Sequence, residues 1–324
     1  MKRRTLSTAL LLAAMAGTSA TGWAQSSEFP PRQITLVVPY PAGGVTDQLA
    51  RGLGQKLAEN LKVTVLVDNR PGGSAQIAAN FVKQAPADGA TIFMCDIGGF
   101  AFNQALYAKL SYDVQKDFTP LARLVLAPSL LVVPANSPFN TMADFVNAAR
   151  QRPVNIASQS PGSGGHLFAE LMRTQSGARL NHVPYRGSAP ALTDLVGGQV
   201  EAFFDPVITS GPFLKDGKLK ALAFGSDRRA VQFPQVPTLA EAGWGNANVV
   251  AWFGMAVRAG TPKPVVDRLG EEIVKAMRSP DLAKRFTDQG LEVAPLGPAE
   301  FKPFVDSEIA RWGKVIRDAN IRLE

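Results

Sequence analysis

The apolar positions of this chain change period repeatedly, and each change marks an element. Ile34, Leu36, Val37 and Val38 form a short apolar run that breaks at Pro39 and Pro41. The chain then passes Gly43-Gly44 and restarts at Thr46-Asp47 with Leu49, Leu53 and Leu57 at helical spacing. This predicts a strand, a glycine turn and a helix start. Val63–Val67 reads as a second strand and Asn69-Arg70-Pro71-Gly72-Gly73 as a turn. Ser74 is placed to cap a helix running to Gln84, and Asp88-Gly89 turns the chain into a third strand at Thr91–Cys95. Strands and helices in that order imply a parallel sheet with right-handed crossovers. Ligands of such sheets sit at the carboxyl ends of the strands, where Gly43-Gly44, Gly72-Gly73 and Gly98-Gly99 fall.

A second unit of the same kind follows the apolar stretch Leu124–Val133. Val154–Ser158 reads as a strand that runs through Gln159-Ser160-Pro161-Gly162-Ser163-Gly164-Gly165 into a helix carrying His166, Leu167, Leu171 and Met172. A strand at Asn181–Val183, the loop Pro184–Ser188, a helix from Ala189 to Val196 and strands at Val200–Phe204 and Ala221–Phe224 complete it. The tail is helical: Thr261-Pro262 and Ser279-Pro280 are start signals, Gly290 closes a helix, and Phe301, Val305, Ile309, Trp312 and Ile316 form one apolar face. Helices of this kind need a sheet to cover. Val250–Val257 supplies a further strand before them, so the chain is expected to return to its first sheet there, leaving the two lobes joined by two crossings that suit closure on a ligand. The fold expected is α/β, two-lobed, each lobe a sheet flanked by helices. Lobe 1 is read as 25–124 plus 251–324 and lobe 2 as 125–250.

The first 24 residues stand apart from this pattern. Lys2, Arg3 and Arg4 form a positive region, Leu6–Ala16 an apolar one, and Gly22-Trp23-Ala24 places small residues at a cleavage point, so 1–24 reads as a signal peptide. Export to the periplasm is the expectation, with the general and twin-arginine routes both open. Setting aside those three bases, 31 of the 34 Lys and Arg remain against 27 Asp and Glu, a net charge of +4 in place of +7. The bases are scattered, with no block and no interleaved aromatic row, which argues against nucleic acid as a partner. Cys95 is the single cysteine, set in an apolar run; it excludes an intrachain disulfide, and with only His166 and His182 beside it no Cys/His zinc site is available.

Strand–glycine–helix junctions leave backbone N–H groups pointing out of the helix start, ready for a carboxylate or phosphate. The opening loop is not G-x-G-x-x-G, no G-x-x-x-x-G-K-[ST] occurs, and Gly162-Ser163-Gly164 is not a G-x-S-x-G elbow. Catalysis is therefore not required to explain the sequence. An exported α/β enzyme acting on a carboxylate or phosphate ester, and a ligand-sensing protein for a membrane receptor, remain as alternative readings.

Several strings, taken in order, carry a family resemblance. Tyr40-Pro41-Ala42-Gly43-Gly44-Val45-Thr46-Asp47, Asp68-Asn69-Arg70-Pro71-Gly72-Gly73, Leu110-Ser111-Tyr112-Asp113, His182-Val183-Pro184-Tyr185-Arg186-Gly187-Ser188-Ala189-Pro190-Ala191, Gly197-Gly198-Gln199-Val200 and Pro237-Thr238 resemble the tripartite tricarboxylate transporter receptors, the Bug-type periplasmic solute-binding proteins. The resemblance implies a type II-like periplasmic binding protein, without enzymatic activity or cofactor. It would act as a monomer that holds a small carboxylate (an organic acid, dicarboxylate, aromatic acid or amino acid) in the interlobe cleft and delivers it to a membrane permease of the tripartite tricarboxylate type. It also implies a ligand site. On the first lobe this is Tyr40, Ala42, Gly43, Gly44, Val45, Thr46 and Asp47; on the second it is Ser158, Ser160, Gly162, Ser163, Gly164 and His166, then Tyr185, Arg186, Gly187, Ser188, Ala189 and Asp205.

Val45 stands where a third glycine is common, which stiffens the loop or narrows the pocket. Met94-Cys95-Asp96-Ile97-Gly98 departs from the usual small, hydroxyl-rich string, and Asp96 on the cleft wall would repel a second ligand carboxylate or attract an amine. Each residue also has a plainer reading. Gly43-Gly44 alone serves a tight turn, Arg186 a solvated surface, His166 and His182 a hydrogen-bonded structural role, and Asp205 a helix cap.

Overall fold

The computed structural model describes residues 30–323; the signal segment read at 1–24 lies outside them. The chain begins with β1 (Gln33–Val38), α1 (Val45–Leu61), β2 (Thr64–Asn69), α2 (Gln76–Gln84) and β3 (Thr91–Asp96). The short helices α3 (Asn103–Leu106) and α4 (Val114–Asp117) lead into β4 (Phe118–Ala127). Next come β5 (Ser129–Pro134), α5 (Met142–Gln151), β6 (Val154–Ser158), α6 (Gly164–Ser176), β7 (Leu180–Pro184), α7 (Ser188–Val196), β8 (Ala202–Pro206), α8 (Val207–Lys215) and β9 (Leu219–Gly225). β10 (Ala251–Arg258), α9 (Lys263–Met277), α10 (Pro280–Asp288), β11 (Glu292–Leu296) and α11 (Pro298–Asp318) finish the chain.

The strands form two mixed sheets, ordered β11-β4-β10-β3-β1-β2 and β7-β6-β8-β5-β9. Both repeat one plan: a parallel trio with its first strand in the middle, followed by an antiparallel strand and its neighbour. In the first sheet the antiparallel strand is β10, which returns after the second sheet is complete; in the second it is β5, which arrives from β4. The chain crosses between sheets at Pro128 and again between Gly225 and Ala251. The Leu124–Val133 stretch is thus two strands. Pro128 supplies no N–H and divides them, so β4 stays in the first sheet through Ala127.

β1 and β3 are nearly continuous apolar runs because both faces of the first sheet are covered. Leu49, Leu53 and Leu57 of α1 pack on one face with Leu269 and Ile273 of α9 and Phe286 of α10. Ala78 and Val82 of α2 and Phe301, Val305 and Trp312 of α11 pack on the other. The start of α2 differs from expectation. Ser74 and Ala75 have left-handed backbones (φ 49° and 75°), so the helix begins at Gln76 without a side-chain cap, and the Ser74 hydroxyl pairs with Tyr107 Oη at 2.6 Å. β8 begins two residues later than the apolar run, because Glu201 turns aside to pair with Arg152 at 2.6 Å and with the Asn155 N–H at 3.2 Å. α8 contains Pro212 and β11 contains Pro295, which hides both from a periodicity reading.

Candidate functional site

Between the two sheets lies a cleft of about 400 Å³. Its first wall is built from Tyr40, Val45, Ser74, the turn Asp96–Gly99 and the α3 region (Phe102, Asn103, Leu106, Tyr107). The facing wall is Gln159–Gly165 with Gly187, Pro206 and Ile208. Ala127, Ser129, Val249, Ala251 and Phe253, which flank the two crossings, form the back.

The Gln159–Gly165 turn is shaped by its own hydrogen bonds. Ser160 C=O accepts from the Ser158 hydroxyl (3.0 Å), the Ser163 hydroxyl (2.7 Å) and the Ser163 N–H (3.2 Å). Gly162 has φ +74°, and its N–H donates to His166 Nδ1 at 3.0 Å. Ser163 is the N-cap of α6, yet its hydroxyl is engaged with Ser160 and caps nothing. The N–H groups of Gly164 and Gly165 therefore have no partner among the described residues, and both residues line the cleft. Gly165 also lets the helix start lie close to the sheet, since a methyl there would stand 3.0 Å from Phe204 C=O. A 13-residue helix presents its positive end and two free donors to the cavity.

Two histidines buttress this turn from behind. His166 and His182 stack with centroids 3.9 Å apart and planes within 5°, and His182 Nε2 pairs with Ser158 Oγ at 2.6 Å. Burial lowers the pKa of His166; burial and then the neighbouring His166 push His182 down to about 4. Because Nδ1 of His166 accepts from Gly162, the turn requires that ring neutral. Histidines of depressed pKa contribute stability that is whole above the unfolded value of 6.5 and is lost as pH falls toward about 4. Asp205 acts oppositely. Burial pushes it up to about 6 against hydrogen bonds from Ser188, Thr209 and Gln159, so its penalty is relieved as pH falls. The local readout is decisive: in an NMR titration the His182 ring protons are expected to hold neutral-form shifts down to about pH 4. A midpoint near 6.5 would mean the stack is solvated.

On the opposite wall, Val45 begins α1 and faces the cleft. Asp47 does not; it is buried, accepts from Gly43 N–H (2.9 Å) and pairs with Arg51 (2.9 Å), which holds its carboxyl below the ordinary range. Tyr40 Oη donates to Asp96 Oδ1 at 2.8 Å. Burial raises the pKa of both groups.

Of the residues the resemblance assigns to the ligand site, Tyr40, Val45, Ser160, Gly162, Ser163, Gly164 and Gly187 are brought together on the cleft walls, and Asp96 joins them there. Ala42, Gly43, Gly44, Thr46 and Asp47 lie outside the lining; the first three are exposed, while Thr46 and Asp47 are buried beneath the loop. Ser158 and His166 sit behind the second turn. Tyr185 donates to Asp194 at 2.7 Å, Arg186 and Ala189 are exposed, and Ser188 donates to the fully buried Asp205 at 2.5 Å. Asp205 also accepts from Thr209 (2.5 Å) and Gln159 (3.2 Å), so it anchors the turn from below. The cleft residues that sequence reasoning missed are mainly apolar, among them Phe102, Leu106, Ile208, Phe253 and Leu323, and along the chain these look like core. Gln159 and Gly165 adjoin the glycine turn, and that adjacency was the available signal.

A family model described as the tripartite tricarboxylate transporter family receptor matches residues 49–321. The chain belongs to that receptor family. It is 37% identical over 302 residues to a UPF0065 protein encoded in the tcbD-tcbE intergenic region of Pseudomonas sp. strain P51, covering 92% of this chain and 90% of that one. It also resembles the structure of R. palustris Rpa4515 with adipate, with TM-score 0.82 and 37% identity over 91% of this chain and 100% of the other. MatC from Rhodopseudomonas palustris with bound malate superposes with TM-score 0.76 at 33% identity, covering 89% of this chain and 100% of the other. Members of this receptor family are receptors for transport, and the two-sheet α/β architecture is the one they share. Among the described residues, no helix is long and apolar enough to cross a membrane.

Proposed function

We propose that this receptor captures a small carboxylate by closing its two lobes on it, in the periplasm after removal of residues 1–24, and passes it to a membrane permease without altering it. The observation that carries this reading is the uncapped start of α6, whose Gly164 and Gly165 line the cleft with N–H groups that have no partner among the described residues. The start of α1 at Val45 faces it from the other lobe. Helix ends and hydroxyls suit an anion and, being neutral, leave no buried unpaired cation when the site is empty. Ile97, Phe102, Leu106 and Phe253 offer an apolar middle to an aliphatic chain, and the adipate and malate of the two related structures support an acid ligand. The crossings at Pro128 and between Gly225 and Ala251 are the hinges of this reading, and a monomer suffices for it.

A thermal-shift screen of mono- and dicarboxylates, amino acids and aromatic acids tests it. Ligand at a hundredfold above its Kd is expected to stabilise the fold by about 2.7 kcal/mol, a rise of several degrees in Tm. If no carboxylate shifts Tm while the protein hydrolyses an ester, the receptor is an enzyme instead.

A further inference from the structure

Among the described residues the cleft wall carries one charged side chain, Asp96, and neither lysine nor arginine. Its two oxygens differ sharply. Oδ1 accepts from Tyr40 Oη (2.8 Å), Gly98 N–H (3.0 Å), Gly99 N–H (3.3 Å) and, weakly, Cys95 Sγ (3.7 Å). Oδ2 takes no hydrogen bond from any described residue. The side chain is therefore fixed in place by one oxygen while the other is left for the cavity.

That arrangement constrains what enters. A carboxylate settles at the free amides of the second wall, where the helix end receives it. A second carboxylate on the same ligand would then enter a cavity whose one charge among the described residues is already negative, with no described lysine or arginine on its wall to meet it. An ammonium group would find in Oδ2 an oriented, unpartnered acceptor and would neutralise Asp96 as it bound. We propose that Asp96 makes this receptor select amino-carboxylates, acids bearing an ammonium group a short aliphatic reach from the carboxylate, over dicarboxylates of the same length. This rests on the carboxylate-receptor reading above. Tyr40 is the positioning residue, since its hydroxyl occupies Oδ1 and turns Oδ2 outward.

Isothermal titration with matched acids tests the assignment. 5-Aminopentanoate and adipate differ by an ammonium in place of one carboxylate, as do 4-aminobutanoate and glutarate, and pentanoate reports the carboxylate end alone. The wild-type protein is expected to bind the amino acid of each pair at least about tenfold more tightly, and Asp96→Asn to abolish that preference. A diacid that binds as tightly as its amino partner overturns the proposal, because Oδ2 would then be protonated and donating to the second carboxylate; the receptor reading survives that result. Absence of binding by every acid, pentanoate included, overturns both. Circular dichroism checks the fold of the variant, and the wild-type ranking decides the proposal if Asp96→Asn does not fold.

Discussion

Gly162→Val is expected to weaken carboxylate binding by at least about tenfold while leaving a folded protein. Two effects combine at this residue. Its φ of +74° is a left-handed conformation that a β-branched side chain adopts only at a cost of about 1–2 kcal/mol or more. A Cβ there would also stand 2.8 Å from Leu106 Cδ1 and 2.9 Å from Leu323 Cδ1. These two leucines belong to the opposite wall, where Leu323 N–H donates to Leu106 C=O at 2.8 Å, so the new side chain presses the two walls apart. About 1.4 kcal/mol taken from the bound state is a tenfold loss in affinity. Gly177→Val separates the two effects. Gly177 has φ +68° at the far end of α6 with nothing within 4 Å of its Cβ position, so its variant should lose stability but keep affinity. The acid giving the largest thermal shift serves as the ligand in calorimetry. Equal affinity losses in both variants would mean that backbone strain alone, rather than contact across the cleft, weakens binding.

Glu308→Ala is expected to produce the largest loss of stability. One carboxylate oxygen, Oε2, accepts from Trp252 Nε1 at 2.9 Å and from Trp312 Nε1 at 3.1 Å, and both indoles are 1% exposed. Truncation strands two buried donors at about 1–3 kcal/mol each, and Tm should fall by about 10 °C. Glu308→Gln keeps an acceptor oxygen for the indoles and should recover most of the loss; equal destabilisation by both variants would point to charge rather than donor pairing. The effect reaches the site as well. Trp252 lies in β10 between Ala251 and Phe253, which line the back of the cleft, and Glu308 ties that strand to α11. Chemical denaturation gives the stability, and titration with the same acid reports whether the back of the cleft has loosened.

The elements were largely legible because their signals are local. Leu49, Leu53 and Leu57 recur at helical spacing and are buried together, and the glycine turn before His166 does open onto the cleft. Other signals were ambiguous along the chain. Ser74 looks like a helix cap, but the left-handed backbone at Ser74 and Ala75 moves the helix start and sends the hydroxyl to Tyr107. A polar residue beside a glycine loop can meet a ligand or brace the loop. Asp47, Ser158, His166, Ser188 and Asp205 all brace, a choice made by partners such as Arg51, His182 and Thr209 that are brought alongside by folding.

By itself the sequence determined the alternation of strand and helix, the two glycine junctions, the return of the chain to its first sheet and the membership of a receptor family, since each rests on short-range period or on an ordered set of strings. Only the tertiary structure decided which oxygen of Asp96 is free, that no cation among the described residues joins it on the cleft wall, and which apolar residues face the cavity instead of a core. The physical reason is common to all three. A side chain's exposure and hydrogen-bond partners are properties of what folding packs against it, and residues such as Leu106, Gly162 and Leu323, far apart along the chain, meet only when the two walls come together.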